Sequence, residues 1–118
     1  MPLQIDDGYT LRGSTSGRDR IDGSALPVIA FEYRPPRASD MADFRYAIST
    51  ATSGEAQHKV RVAFICSRLV RWDVEKGGKP VSPTEEFVSV LPDSFVLDLV
   101  DESAKWRPRP QAEAEKNS

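Results

Sequence analysis

The stretch "EAQHKVRVAFICSRLVRW", residues 55 to 72, constrains the fold more than any other. Ala56, Val60, Ala63, Phe64, Leu69 and Val70 recur at helical spacing, and Val62, Ile65 and Cys66 widen the apolar band through its second half. The spacing predicts one helix from Glu55 to about Trp72. A helix that is apolar over more than one narrow face lies at the centre of a fold or in an interface.

Ahead of it, "LQIDDGYTLRG" at 3 to 13 alternates apolar and polar residues around an Asp-Gly pair. That pattern signals a hairpin, with Leu3 and Ile5 on one arm and Tyr9 and Leu11 on the other. The polar run "STSGRDRIDGS" at 14 to 24 predicts a mobile loop or a long hairpin connection. In "LPVIAFEYR", Ile29, Phe31 and Tyr33 form the inner face of a strand that Pro35 and Pro36 end. Ser39 is placed to cap a helix with Asp40 and Asp43 in its first turn and a stripe of Met41, Phe44, Ile48 and Ala51. Gly54 suits the left-handed cap at its end. Beyond the central helix, Gly77 and Gly78 turn the chain, and Ser82, Pro83 and Glu85 read as the start of another helix with a capping box. Phe87, Val90 and Leu91 follow, and "LPDSF" precedes a last short helix whose face is Val96, Leu99 and Val100.

At 118 residues and 39% hydrophobic content the chain builds one small core. The segment "KWRPRPQAEAEKNS", 105 to 118, is too polar and proline-rich to join it and reads as a disordered tail, leaving a single domain over 1–104. A domain of that size is modestly stable as a monomer, and a homo-oligomer is a reasonable expectation. The expected fold class is α+β: a small N-terminal antiparallel β-sheet or hairpin packed on three to four α-helices. Sixteen basic and 18 acidic residues give a net charge of −2, which argues against a nucleic-acid partner. No run is long enough to span a bilayer, the N-terminus lacks a secretory layout, and Cys66 is alone, so a cytoplasmic protein is expected.

Chemistry is hard to place. His58 and Cys66 are eight residues apart on the predicted helix, too far to meet as base and nucleophile or as metal ligands. The carboxylates are scattered, and "DVEKGGK" has too few oxygens for a metal loop. Neither enzyme activity, metal nor cofactor is expected. Lys59, Arg61, Arg68 and Arg71 form a weak basic stripe with no aromatic interleaving, which leaves a small DNA-binding or regulatory protein as an alternative. Trp72 either seals the core or anchors a partner, and Trp106 with "RPRP" has the form of an extended docking peptide.

The order "FEYRPPRASDMADFRYAI", then "RLVRWDVEKGGKPVSPTEEFVSVLPDSFVLDLVDES", resembles tail assembly chaperones of long-tailed, siphovirus-like bacteriophages and prophages. The resemblance spans roughly 27 to 103. It rests on Phe31, Tyr33, Arg34 and Pro35, on Trp72 and Asp73, on Pro80 and Val81, and on Thr84, Glu86, Leu91 and Pro92. It implies a non-enzymatic protein that coats the tape-measure protein, keeps it soluble and helps recruit tail-tube proteins, and that is absent from the mature virion. The wide apolar band, Val62, Ile65, Leu69 and Trp72, is the expected binding surface, for the client or for self-association. Such chaperones are often made in two lengths by a programmed frameshift. Glu115, Lys116 and Asn117 permit the codons GAA-AAA-AAC, which contain a slippery heptamer. A virion head-tail structural component is the remaining alternative.

Overall fold

The computed structural model describes residues 8–109. Strands β1 (Leu11–Ser14), β2 (Ala30–Tyr33) and β3 (Leu69–Trp72) form an antiparallel sheet in that order. Four helices pack with it: α1 (Ala38–Thr50), α2 (Gly54–Arg68), α3 (Glu85–Val88) and α4 (Asp93–Ser103). A small hairpin, β4 (Glu75–Lys76) with β5 (Lys79–Pro80), leads from β3 towards α3. The chain is therefore α+β, as its sequence predicts. Leu3, Ile5 and the segment Glu115 to Asn117 lie outside the described residues.

Strand alternation sets the core. Leu11, Ile29, Phe31 and Tyr33 face inward and are buried, against Val62 and Ile65 of α2, Val88 of α3, and Val96, Leu99 and Val100 of α4. Gly13 sits opposite Phe31, and a Cβ there would lie 2.9 Å from the Phe31 ring. Its missing side chain lets that ring lie across β1.

The central helix is shorter than its spacing predicts: it ends at Arg68, and Leu69–Trp72 is a strand. Leu69 is extended, with φ −74° and ψ 131°, and the Arg34 N–H donates to the Arg68 carbonyl at 2.8 Å. Without β3, β2 would have an open row of backbone donors and acceptors on that side, a cost the sheet removes. Tyr33 pairs with Leu69, Glu32 with Arg71 and Phe31 with Trp72, so Val70 is an extra residue, a β-bulge. The bulge turns Leu69 and Trp72, three positions apart, onto the same inner face.

Trp72 and Asp73 then clasp two neighbours. The indole N–H donates to the Val81 carbonyl at 2.7 Å, fixing the far end of the hairpin. The Asp73 N–H donates to the Ala30 carbonyl at 3.1 Å, while its carboxylate accepts from the Ala30 N–H at 2.8 Å, closing the end of the sheet. Between them Gly77 and Gly78 have φ of 60° and 77°, as a two-residue type I′ turn requires.

Three helix starts differ from expectation. Ser39 lies inside α1, whose N-cap is Arg37, because the Asp40 carboxylate accepts from the Arg37 N–H at 2.8 Å. Gly54 is the first residue of α2 and not a left-handed cap, since the Ser53 hydroxyl accepts from the Ala56 N–H at 3.0 Å and starts that helix. Thr84, not Ser82, is the N-cap of α3, and its backbone carbonyl accepts from the Val88 N–H at 2.8 Å. In that turn Val88 is buried and Val90 is 75% exposed, so Val90 does not join the apolar face.

The polar run after β1 is the long connection of the β1–β2 hairpin, and its own side chains fasten it. Asp98, a buried carboxylate of α4, accepts from the Ser16 hydroxyl at 2.6 Å, the Ser16 N–H at 3.1 Å and Arg20 Nε at 2.9 Å. Arg20 also pairs with Asp101. Burial alone would push the Asp98 carboxyl up, but the Ser16 bonds and the Arg20 guanidinium hold it below the usual carboxylate range. Its folded value is thus lower than its unfolded one. The stability it supplies is complete above the unfolded value, about pH 4, and is lost as pH falls through the folded value. We expect Asp98→Asn to cost about 2–3 kcal/mol at neutral pH, and to flatten the acid limb of the urea midpoint below about pH 4. A variant as stable as the wild type at neutral pH contradicts this role.

Candidate docking groove

Helix α1 buries none of its residues. It lies against α2 through Phe44, whose ring centroid is 4.5 Å from that of Phe64, with Met41 also touching the core. An open groove of about 360 Å³ lies between the two helices. Its floor is apolar, made by Phe44, Ala47, Val60, Ala63 and Phe64, and its polar lining is Asp40, Asp43, Ser67 and Arg68. Ala63 is exposed although it lies among apolar neighbours.

Asp40 and Arg68 also line a second, more polar recess of about 180 Å³ with Tyr9, Arg34, Pro35 and Arg37. Arg68 Nη1 lies 3.4 Å from the Asp40 carboxylate and 3.4 and 3.5 Å from the Arg34 and Pro35 carbonyls, so its guanidinium is held in place at the junction. Three arginines and one aspartate give the recess a positive character. The apolar floor therefore ends at the Asp40–Arg68 pair, and the arginine-rich recess lies on the far side of that pair. An amphipathic helix with a carboxylate beyond its apolar stripe complements that combination.

The sequence-based binding surface lies elsewhere. Val62 and Ile65 on α2 are 3% and 0% exposed, and Leu69 and Trp72 on β3 are 5% and 9% exposed. All four hold the sheet to the helices in this chain. The residues that carry the family resemblance also have structural positions. Phe31 and Tyr33 are core, Trp72 and Asp73 form the clasp, Pro80 pairs with Glu75, Thr84 and Pro92 are N-caps, and Leu91 packs against the core. Glu86 is exposed in the first turn of α3, while Arg34 and Pro35 border the basic recess.

Three of the four residues of the basic stripe are in ion pairs, all but Arg61. Lys59 lies 3.6 Å from Glu55, Arg68 turns to Asp40, and Arg71, on β3, lies 2.8 Å from Glu32 on the outer side of the sheet. His58 Nε2 meets the Ser89 carbonyl at 3.2 Å. Burial pushes the Cys66 thiol up, and Glu85 adds to this, so it stays protonated and is a poor nucleophile. Among the described residues no group of three or more His, Cys, Asp or Glu is placed to hold a metal, and no helix is long and apolar enough to cross a membrane.

Sequence periodicity does not reveal the groove, because Phe44 and Ala63 each fall on an apolar helical stripe and periodicity does not say which part of a stripe is covered. The available signal was the weak amphipathicity of α1, whose stripe is flanked by the aromatic Tyr46, 71% exposed. Comparison with known proteins adds no relative: no family model, curated protein or solved structure matches the chain.

Proposed function

We propose that this chain is a non-enzymatic tail assembly chaperone of a long-tailed phage, which holds the tape-measure protein as an amphipathic helix and helps bring tail-tube subunits to it. The observation that supports the reading is the open α1/α2 groove, a half-buried apolar floor with Ala63 exposed, which ends at the Asp40–Arg68 pair next to an arginine-bearing recess and lies along a helix that contributes no buried residue. A long amphipathic helix aggregates when its apolar stripe is bare, and a row of such grooves would cover it. Each contact is small, so binding is weak per copy and strong in array. The resemblance over 27 to 103 supplies the biological setting, and the groove supplies a surface for the client that the buried Leu69 and Trp72 do not.

The test is co-expression with the long helix-rich protein encoded near the native gene. Wild-type chain is expected to keep that protein in the soluble fraction and to co-purify with it. Ala63→Asp places a charge on the exposed floor without touching the core, and should weaken capture by at least about 30-fold while the thermal midpoint stays close to wild type. Equal capture by the two proteins counts against the groove, and no capture by either counts against the chaperone.

A further inference from the structure

After α4 the chain does not leave the body at once. The Tyr33 hydroxyl donates to the Lys105 carbonyl at 2.8 Å, and the Tyr9 hydroxyl donates to the Arg107 carbonyl at 2.6 Å. In an extended chain, carbonyls two residues apart point to the same side, so one face of the segment can meet both hydroxyls. Residues 105 to 109 have no helix or strand, and Trp106 between the two anchors is 51% exposed. Tyr33 and Tyr9 are 1% and 8% exposed.

Both contacts use acceptors of the segment and ask no N–H of it. Proline lacks an N–H but keeps its carbonyl, so a segment such as "KWRPRP" satisfies the pair without loss. Proline also holds it extended before it docks, which lowers the entropy cost of ordering. Aromatic side chains that present polar tips to an extended proline-rich backbone are a recurrent form of peptide recognition.

We propose that Tyr9 and Tyr33 form a recognition site for extended, proline-containing backbone, and that the chain's own residues 105 to 109 occupy it as a releasable latch. Release exposes both hydroxyls and the covered half of Trp106. This inference stands apart from the client groove, and neither depends on the other.

The segment carries its own reporter. Lys105, Arg107 and Arg109 are potential trypsin sites, but the two arginines precede Pro108 and Pro110 and are resistant, which leaves Lys105–Trp106. The carbonyl of that bond is the one Tyr33 holds. When opening is fast, cleavage follows the population of the open form. In the full chain, Tyr33→Phe and Tyr9→Phe should each raise the cleavage rate at Lys105 by about tenfold, the worth of one hydrogen bond. Cutting at Lys59 and Arg61 inside α2 should stay unchanged, which separates latch release from unfolding. A synthetic acetyl-AWRPRP-amide, which has no trypsin site, should compete for the pair in trans at millimolar concentration and raise the wild-type rate. Equal rates in the wild type and both variants overturn the latch. A peptide that leaves the wild-type rate unchanged overturns the recognition site.

Discussion

Trp72→Ala is expected to destabilise the domain by about 3–5 kcal/mol, measured as a shift of the urea midpoint. Trp72 is 9% exposed, packs beside Phe31 in the sheet register and is part of the core cluster. Its removal leaves a cavity at the edge of the sheet that the rigid strands cannot close. It also deprives the Val81 carbonyl of the indole donor at 2.7 Å, so the β4–β5 hairpin loses its fastening. Trp72→Phe separates the two contributions. It keeps most of the apolar area and loses the donor, and should cost about 1–2 kcal/mol. A folded Trp72→Ala protein within about 1 kcal/mol of wild type would contradict the core position and would return Trp72 to consideration as a partner anchor.

Leu69→Asp should abolish the folded state. Leu69 is 5% exposed at the first position of β3, opposite the fully buried Tyr33. A carboxylate there has no cation within the core to pair with, and burying it costs several kcal/mol or forces its protonation. A small domain commonly has only about 5–15 kcal/mol in all, and part of that depends on β3 itself. The expected outcome is a chain with the far-ultraviolet circular dichroism of an unfolded protein at neutral pH and partial recovery as the carboxyl protonates. A cooperative thermal transition at neutral pH would show that Leu69 is not inside. Both experiments bear on whether residues 69 to 72 are strand or helix end, because a helix end exposed in an interface tolerates these changes.

The fold class was legible because its main signals are local. Ile29, Phe31 and Tyr33 alternate as a half-buried strand does, and Val96, Leu99 and Val100 repeat as a helix face does. The extent of the central helix was not legible, for a physical reason. The bulge at Val70 places Leu69 and Trp72 on one face at a separation of three, and three is a helical interval. A strand with an extra residue therefore imitates the period of the helix before it. Only the pairing with β2, a non-local event, decides between them.

The site was less legible than the fold. The apolar band of α2 is wide because it is buried on several sides: the sheet, α3 and α4 surround it. What stays accessible on α2 is the part facing α1, marked by Ala63 and Val60, small side chains whose exposure depends on where α1 lies. The latch was partly legible, since the composition of 105 to 118 sets it apart from the core. Its docking on Tyr9 and Tyr33 depends on two hydroxyls about seventy and a hundred positions away, which no local pattern reports.

The most direct test of the chaperone account is to measure where the chain goes during assembly. In cells producing the native phage, quantitative mass spectrometry would compare the chain's abundance in complexes purified through the tape-measure protein with that in finished particles. The account predicts many copies per tape-measure chain in the complexes and none in the particle. A fixed stoichiometric number of copies in purified particles would contradict it and make the chain a structural part of the virion.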